Sequence, residues 1–135
     1  TYVLYNRKEF HPKGEQYWLV DIEGEEDREI LNFGSKARVR AVWLPDGQRV
    51  GFTTETKDGK VQKYYSLGIY DIKTEEICWL IDEPGRNIER IHSPINSHHL
   101  VVLEYKKARV RPSIIDLTNM KEKFIPPRSK AHLYP

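Results

Sequence analysis

Apolar and polar residues alternate with a period of two along most of this chain, in short runs broken by Pro, Gly, Asn and Asp. In Arg49-Val50-Gly51-Phe52, Val50 and Phe52 fall on one face of an extended segment. Pro45-Asp46-Gly47 precedes that run. Proline presets φ for a turn, and glycine can take the positive φ that the turn needs. Residues 42–52 are therefore predicted as strand, tight turn, strand. No segment carries the 3.6-residue period of an amphipathic helix, and residues 23–31 are too acidic and too poor in apolar residues to try.

A second pattern occurs three times: Trp18-Leu19-Val20-Asp21-Ile22, Gly68-Ile69-Tyr70-Asp71-Ile72 and Ser113-Ile114-Ile115-Asp116-Leu117. The aspartates are 50 and then 45 residues apart, and a further short apolar strand follows each block. Repetition at this period is the mark of four-stranded propeller blades. The proline of the Trp43 segment also recurs 49 residues on, in Ile91-His92-Ser93-Pro94-Ile95-Asn96-Ser97, where Asn96-Ser97 replaces the Asp-Gly turn and His92 takes the place of Trp43.

With strands lettered a to d from inside to outside, the second blade spans 39–81 (a 39–43, b 49–55, c 63–72, d 77–81). The third spans 88–125 (a 88–92, b 100–106, c 109–117, d 122–125). Residues 2–31 align with strands b, c and d alone, and residues 131–134 with a lone strand a. The predicted fold is all-β: three four-stranded antiparallel blades offset by one strand, forming part or half of a β-propeller. Three blades are too few to close a ring. The rest of a longer propeller, or a second copy, is expected to complete it, with strand 131–134 pairing against strand 2–10. An open β-meander or small barrel is the competing architecture.

The stretch Trp43-Leu44-Pro45-Asp46-Gly47-Gln48-Arg49-Val50-Gly51-Phe52 resembles the W-x-P-D-G-x-x-I-x-F core of the TolB-type propeller repeat, also found in the propellers of prolyl oligopeptidase-like peptidases. That resemblance implies a rigid disc that binds partners or gates access to another domain. A non-catalytic binding or scaffold module for protein or peptide partners is the leading reading. The alternative is a substrate-gating propeller segment of a prolyl oligopeptidase-like serine peptidase whose catalytic domain lies outside this chain.

Composition narrows these readings. Eight Tyr, three Trp and four Phe beside many Val and Ile favour sheet over helix. The formal net charge is +2 and the pI about 8.6, too mild to point to nucleic acid as partner. No apolar run is long enough for a membrane span. The single cysteine, Cys78, excludes an internal disulfide. The chain opens on Thr1 rather than Met, as expected of a mature or trimmed product.

Candidate chemistry is sparse. There is no Gly-x-Ser-x-Gly elbow, Gly-rich phosphate loop or dinucleotide fingerprint, and no cofactor is expected. Ser66 lies near Gly68 but within a predicted strand, so a structural hydroxyl is expected there. His92, His98 and His99 are the best candidate metal ligands, but neighbours on a strand point to opposite faces, and no metal site is assigned. His92 is expected to pack inward. The repeated aspartates Asp21, Asp71 and Asp116 are expected to bond backbone amides in the turn after strand c.

Charge does separate by loop. The b–c and d–a loops carry ten Lys and Arg against three acids; the a–b and c–d loops carry eight acids against three bases. The first set defines a candidate basic face of Lys57, Lys60, Arg86, Lys106, Lys107 and Arg109, suited to an acidic partner.

Overall fold

The structure is a computed structural model that describes residues 2–9, 14–21, 27–33, 38–57 and 60–126. Those residues form three antiparallel meanders and no helix. The first contains β1 (Tyr2–Glu9), β2 (Gly14–Asp21) and β3 (Asp27–Asn32). The second contains β4 (Val39–Trp43), β5 (Arg49–Lys57), β6 (Lys60–Asp71) and β7 (Ile77–Ile81). The third contains β8 (Asn87–His92), β9 (His99–Lys106), β10 (Arg109–Asp116) and β11 (Lys121–Phe124). The expected strand at 131–134, and with it the expected pairing to β1, lies outside the described residues. Among those residues no helix is long and apolar enough to cross a membrane.

The sheets stack face to face around two cores, which an open meander or a small barrel would not produce. Leu19 and Leu31 of the first sheet meet Val39, Val50, Phe52 and Tyr70 of the second. Leu67, Ile69 and Ile81 on the opposite face of the second sheet meet Ile88, Ile91, Leu100, Val102 and Ile115 of the third. The middle sheet is thus buried on both sides, and Val50 through Thr54 are buried without interruption. Strict alternation gives way to a continuous buried run where both faces of a strand are covered. Phe52 packs between Phe33, stacked at 5.5 Å, and Trp79, edge-on at 5.4 Å. Trp43 packs at the margin of the same core and is half-buried.

The Pro45-Asp46-Gly47 turn forms as its residues dictate. Gly47 takes φ +66° and donates its N–H to Leu44 O at 3.0 Å. Asp46 Oδ1 accepts from the amides of Gln48 (2.9 Å) and Arg49 (3.1 Å), and Oδ2 from Arg49 Nε (2.7 Å). Burial alone would raise the Asp46 carboxyl, but these hydrogen bonds and the Arg49 charge hold it below its ordinary value.

The corresponding turn in the third blade corrects the expected alignment. Asn96, not the Asn96-Ser97 pair, occupies the left-handed position of Gly47, with φ +59°. Ser97 takes over the capping role, its Oγ accepting from the His99 amide at 3.1 Å. Gln48 O accepts from Ile72 N, and its counterpart His98 O accepts from Leu117 N. The third-blade proline therefore sits one residue earlier relative to the strands than Pro45 does. A one-residue slip moves side chains to the opposite face. Trp43 sits opposite Val50, but His92 sits opposite Val101 and is exposed rather than packed inward.

Candidate functional site

The up-and-down strand order brings the b–c hairpins and the starts of strands a to one end of the sheets. At that end β9 and β10 are joined by a two-residue turn, Lys107-Ala108, with Lys106 paired to Arg109. Both turn residues have positive φ, +49° and +61°, the conformation of a type I′ hairpin. Lys106, Lys107 and Arg109 are all exposed on this tip. Lys57 and Lys60 pair across the equivalent β5–β6 hairpin; their side chains lie outside the described residues.

Arg86, assigned from sequence to the same face, is instead folded into the interface between the second and third sheets. Its Nη2 lies 2.6 Å from Glu104 Oε1 and 2.7 Å from Glu122 Oε2, and its side chain is 15% exposed. Arg111 Nη2 contacts the other Glu104 oxygen at 2.9 Å, and Ser113 Oγ donates to Glu122 at 2.7 Å. The Phe124 ring lies beneath Arg111 (4.1 Å) and Arg86 (5.3 Å). Two acids and two bases neutralise one another around Glu104, whose side chain is fully buried. Hydrogen bonds to Glu122 and Glu104 outweigh burial and keep Arg86 charged. Burial would raise Glu122, but hydrogen bonds from Arg86 and Ser113 hold its carboxyl below the ordinary value. Sequence reading missed this cluster because its members come from β9, β10, β11 and the loop before β8.

The other singled-out residues fall into structural roles or open positions. Asp71 Oδ1 accepts from the amides of Lys73 and Thr74, and Asp116 Oδ1 from the amide and hydroxyl of Thr118. The Asp21 side chain lies outside the described residues. Ser66 is buried in β6 and donates to Asp82 Oδ1 at 2.9 Å. His98 and His99 are exposed, and among the described residues no group of three potential metal ligands converges.

A polar cleft of about 500 Å³ opens between the second and third sheets. It is lined by Arg38, Arg40, Thr53 and Tyr65 of the second sheet and its approach, and by Asn87, Ile88 and Glu89 of β8. Arg40 stands opposite Thr53 in the β4–β5 ladder, so both side chains face the third sheet. The buried Val39 between the two arginines points the other way, into the first core. The sequence signal was present: two arginines flanking an apolar residue share one face of an inner strand.

Solved structures show where these sheets belong. The chain is similar to TolB from Acinetobacter baumannii over 95% of its length, with a TM-score of 0.64 and 16% identity. It is also similar to oligogalacturonate lyase in complex with manganese over 87% of its length, with a TM-score of 0.59 and 14% identity. The fold is that of a β-propeller segment. The chain spans 30% of the first protein and 31% of the second. No protein-family model matches it, and a search of curated proteins returned no match.

Proposed function

We propose that this propeller segment is a non-catalytic binding module for a protein or peptide partner bearing acidic side chains, which docks on the side crowned by the β5–β6 and β9–β10 hairpins. The supporting observation is the β9–β10 tip. Lys106, Lys107 and Arg109 are exposed together on a turn whose backbone geometry is fixed by its two-residue length. Charges held on a short hairpin present a defined field to an approaching partner and raise its association rate. Lys57 and Lys60 belong to the same side by topology and extend the basic surface. Arg86 serves this side indirectly, by fixing the loop before β8 to β9 and β11 of the sheet that carries the β9–β10 hairpin.

Further blades, or a second copy of the chain, complete the ring in this reading. The first sheet keeps apolar residues on the side away from its core: Val3 opposite Val20, and Tyr5 opposite Trp18. Such a face fits a neighbouring blade.

The test is association with a panel of acidic, neutral and basic peptides. Reversing Lys106 and Lys107 to Glu should slow binding of the acidic members at low salt and have less effect at high salt. An association rate unchanged by the reversal at low salt would remove the basic hairpins from the binding surface.

A further inference from the structure

The cleft between the second and third blades is built differently from the hairpin crown. We propose that it is a carboxylate-binding site, in which Arg38 and Arg40 receive an acidic side chain of a peptide partner. The inference rests on the reading of the module as a binder of acidic partners, but it assigns recognition to other residues.

Four observations carry it. First, Arg38 and Arg40 line one cleft, and among the described residues no ion pair or hydrogen bond engages either guanidinium. Other arginines among the described residues have carboxylate partners: Arg28 has Glu75, and Arg86 and Arg111 share Glu104. Second, the cleft is walled by ordered groups. Thr53 is 2% exposed and Ile88 1%. The Asn87 side-chain oxygen accepts from the Tyr65 amide at 2.8 Å, which fixes the amide group and leaves its NH₂ as a donor for a ligand. Third, the lining includes one acid, Glu89, so two guanidinium groups and one carboxylate leave a net charge of +1. That charge favours an anionic ligand. Fourth, the planar fork of arginine pairs with both oxygens of a carboxylate, which a lysine cannot do.

The position also explains a division of labour. The hairpin lysines act at long range and lose influence with salt. The cleft arginines act at contact distance, through charge-assisted hydrogen bonds to a carboxylate. The crown would steer an acidic segment to the disc, and the cleft would hold one of its carboxylates in register.

The experiment uses the whole chain, labelled for amide NMR, and an acetylated, amidated tetraglutamate peptide as probe. Tetraglutamine, of the same length and uncharged, and inorganic phosphate serve as comparison ligands. Tetraglutamate should shift the amides of Thr53, Tyr65 and Asn87, and tetraglutamine should not. Arg38→Gln and Arg40→Gln should each weaken tetraglutamate binding at least tenfold. Arg40→Lys, which keeps the charge but not the fork, should recover only part of it. Glu89→Gln should tighten binding severalfold. Because both arginines are exposed, unchanged amide spectra of the free variants will show that the fold survives. Shifts confined to Lys106–Arg109 would overturn the cleft site and leave the hairpin surface standing. Equal affinity for phosphate and tetraglutamate would overturn the carboxylate assignment. No shift anywhere would overturn the cleft and the acidic-partner reading together.

Discussion

The ring of Phe52 lies against the backbone of Gly68 on the neighbouring strand. A Cβ built on Gly68 would stand 2.5 Å from one ring carbon of Phe52 and 2.9 Å from another. The ring is fully buried, stacked on Phe33 and closed from the side by Trp79. Phe52 and Gly68 stand opposite each other in the β5–β6 ladder, so the glycine is a packing requirement between two paired strands.

Gly68→Ala should therefore destabilise the fold by about 1–3 kcal/mol, the usual cost of overpacking. Phe52→Ala, which leaves a cavity instead, should cost about 3–5 kcal/mol. Urea denaturation of the two variants checks this. If Gly68→Ala unfolds at the same urea concentration as the parent, the ring does not lie where it is described.

Arg86 is the cation on which the buried Glu104 depends. Arg86→Ala should cost about 3–5 kcal/mol, because Glu104 then keeps only Arg111. Pairing it with Glu104→Met should recover much of that loss, since no buried charge is left alone. A double variant less stable than Arg86→Ala would show that the cluster works otherwise.

The same cluster sets an acid limit. The Glu122 carboxyl is lowered in the folded chain from an ordinary value of 4.5. Its contribution to stability is thus complete above about pH 4.5 and is lost as pH falls through the lowered folded value. Stability measured at pH 7, 5.5 and 3.5 should drop only at the last step on this account. Glu122→Gln should show a smaller drop between the lower two.

The β9–β10 turn holds Ala108 at φ +61°, where a β-carbon is unfavourable. Ala108→Gly should raise stability by about 0.5–1 kcal/mol, part of the relief being offset by glycine's greater freedom when unfolded. Thermal unfolding reads the result, and a lower midpoint would contradict the I′ geometry. The lysines at the tip are unchanged, so peptide association at low salt should be unaltered.

What the sequence determined by itself was the repeat and the order of strands. Alternation, turn residues and recurrent aspartates are local signals. Asp71 and Asp116 each close a turn within their own few residues, so their role could be read without knowing the fold. The basic hairpin tip is local too, because Lys106 through Arg109 are contiguous. What only the tertiary structure decided depends on register and on stacking of sheets. His92 left the position of Trp43 because the third-blade proline sits one residue earlier relative to the strands, so His92 pairs with Val101 and not with Leu100, the counterpart of Val50. Arg86 left the candidate binding face because Glu104 and Glu122, 18 and 36 residues away in sequence, draw it onto the inner face of the third sheet. The cleft of Arg38 and Arg40 exists only once β8 packs against the second sheet. A charge on a loop and a charge in an interface look alike in sequence. They differ in what lies within a few ångströms, and stacking of the blades sets that distance.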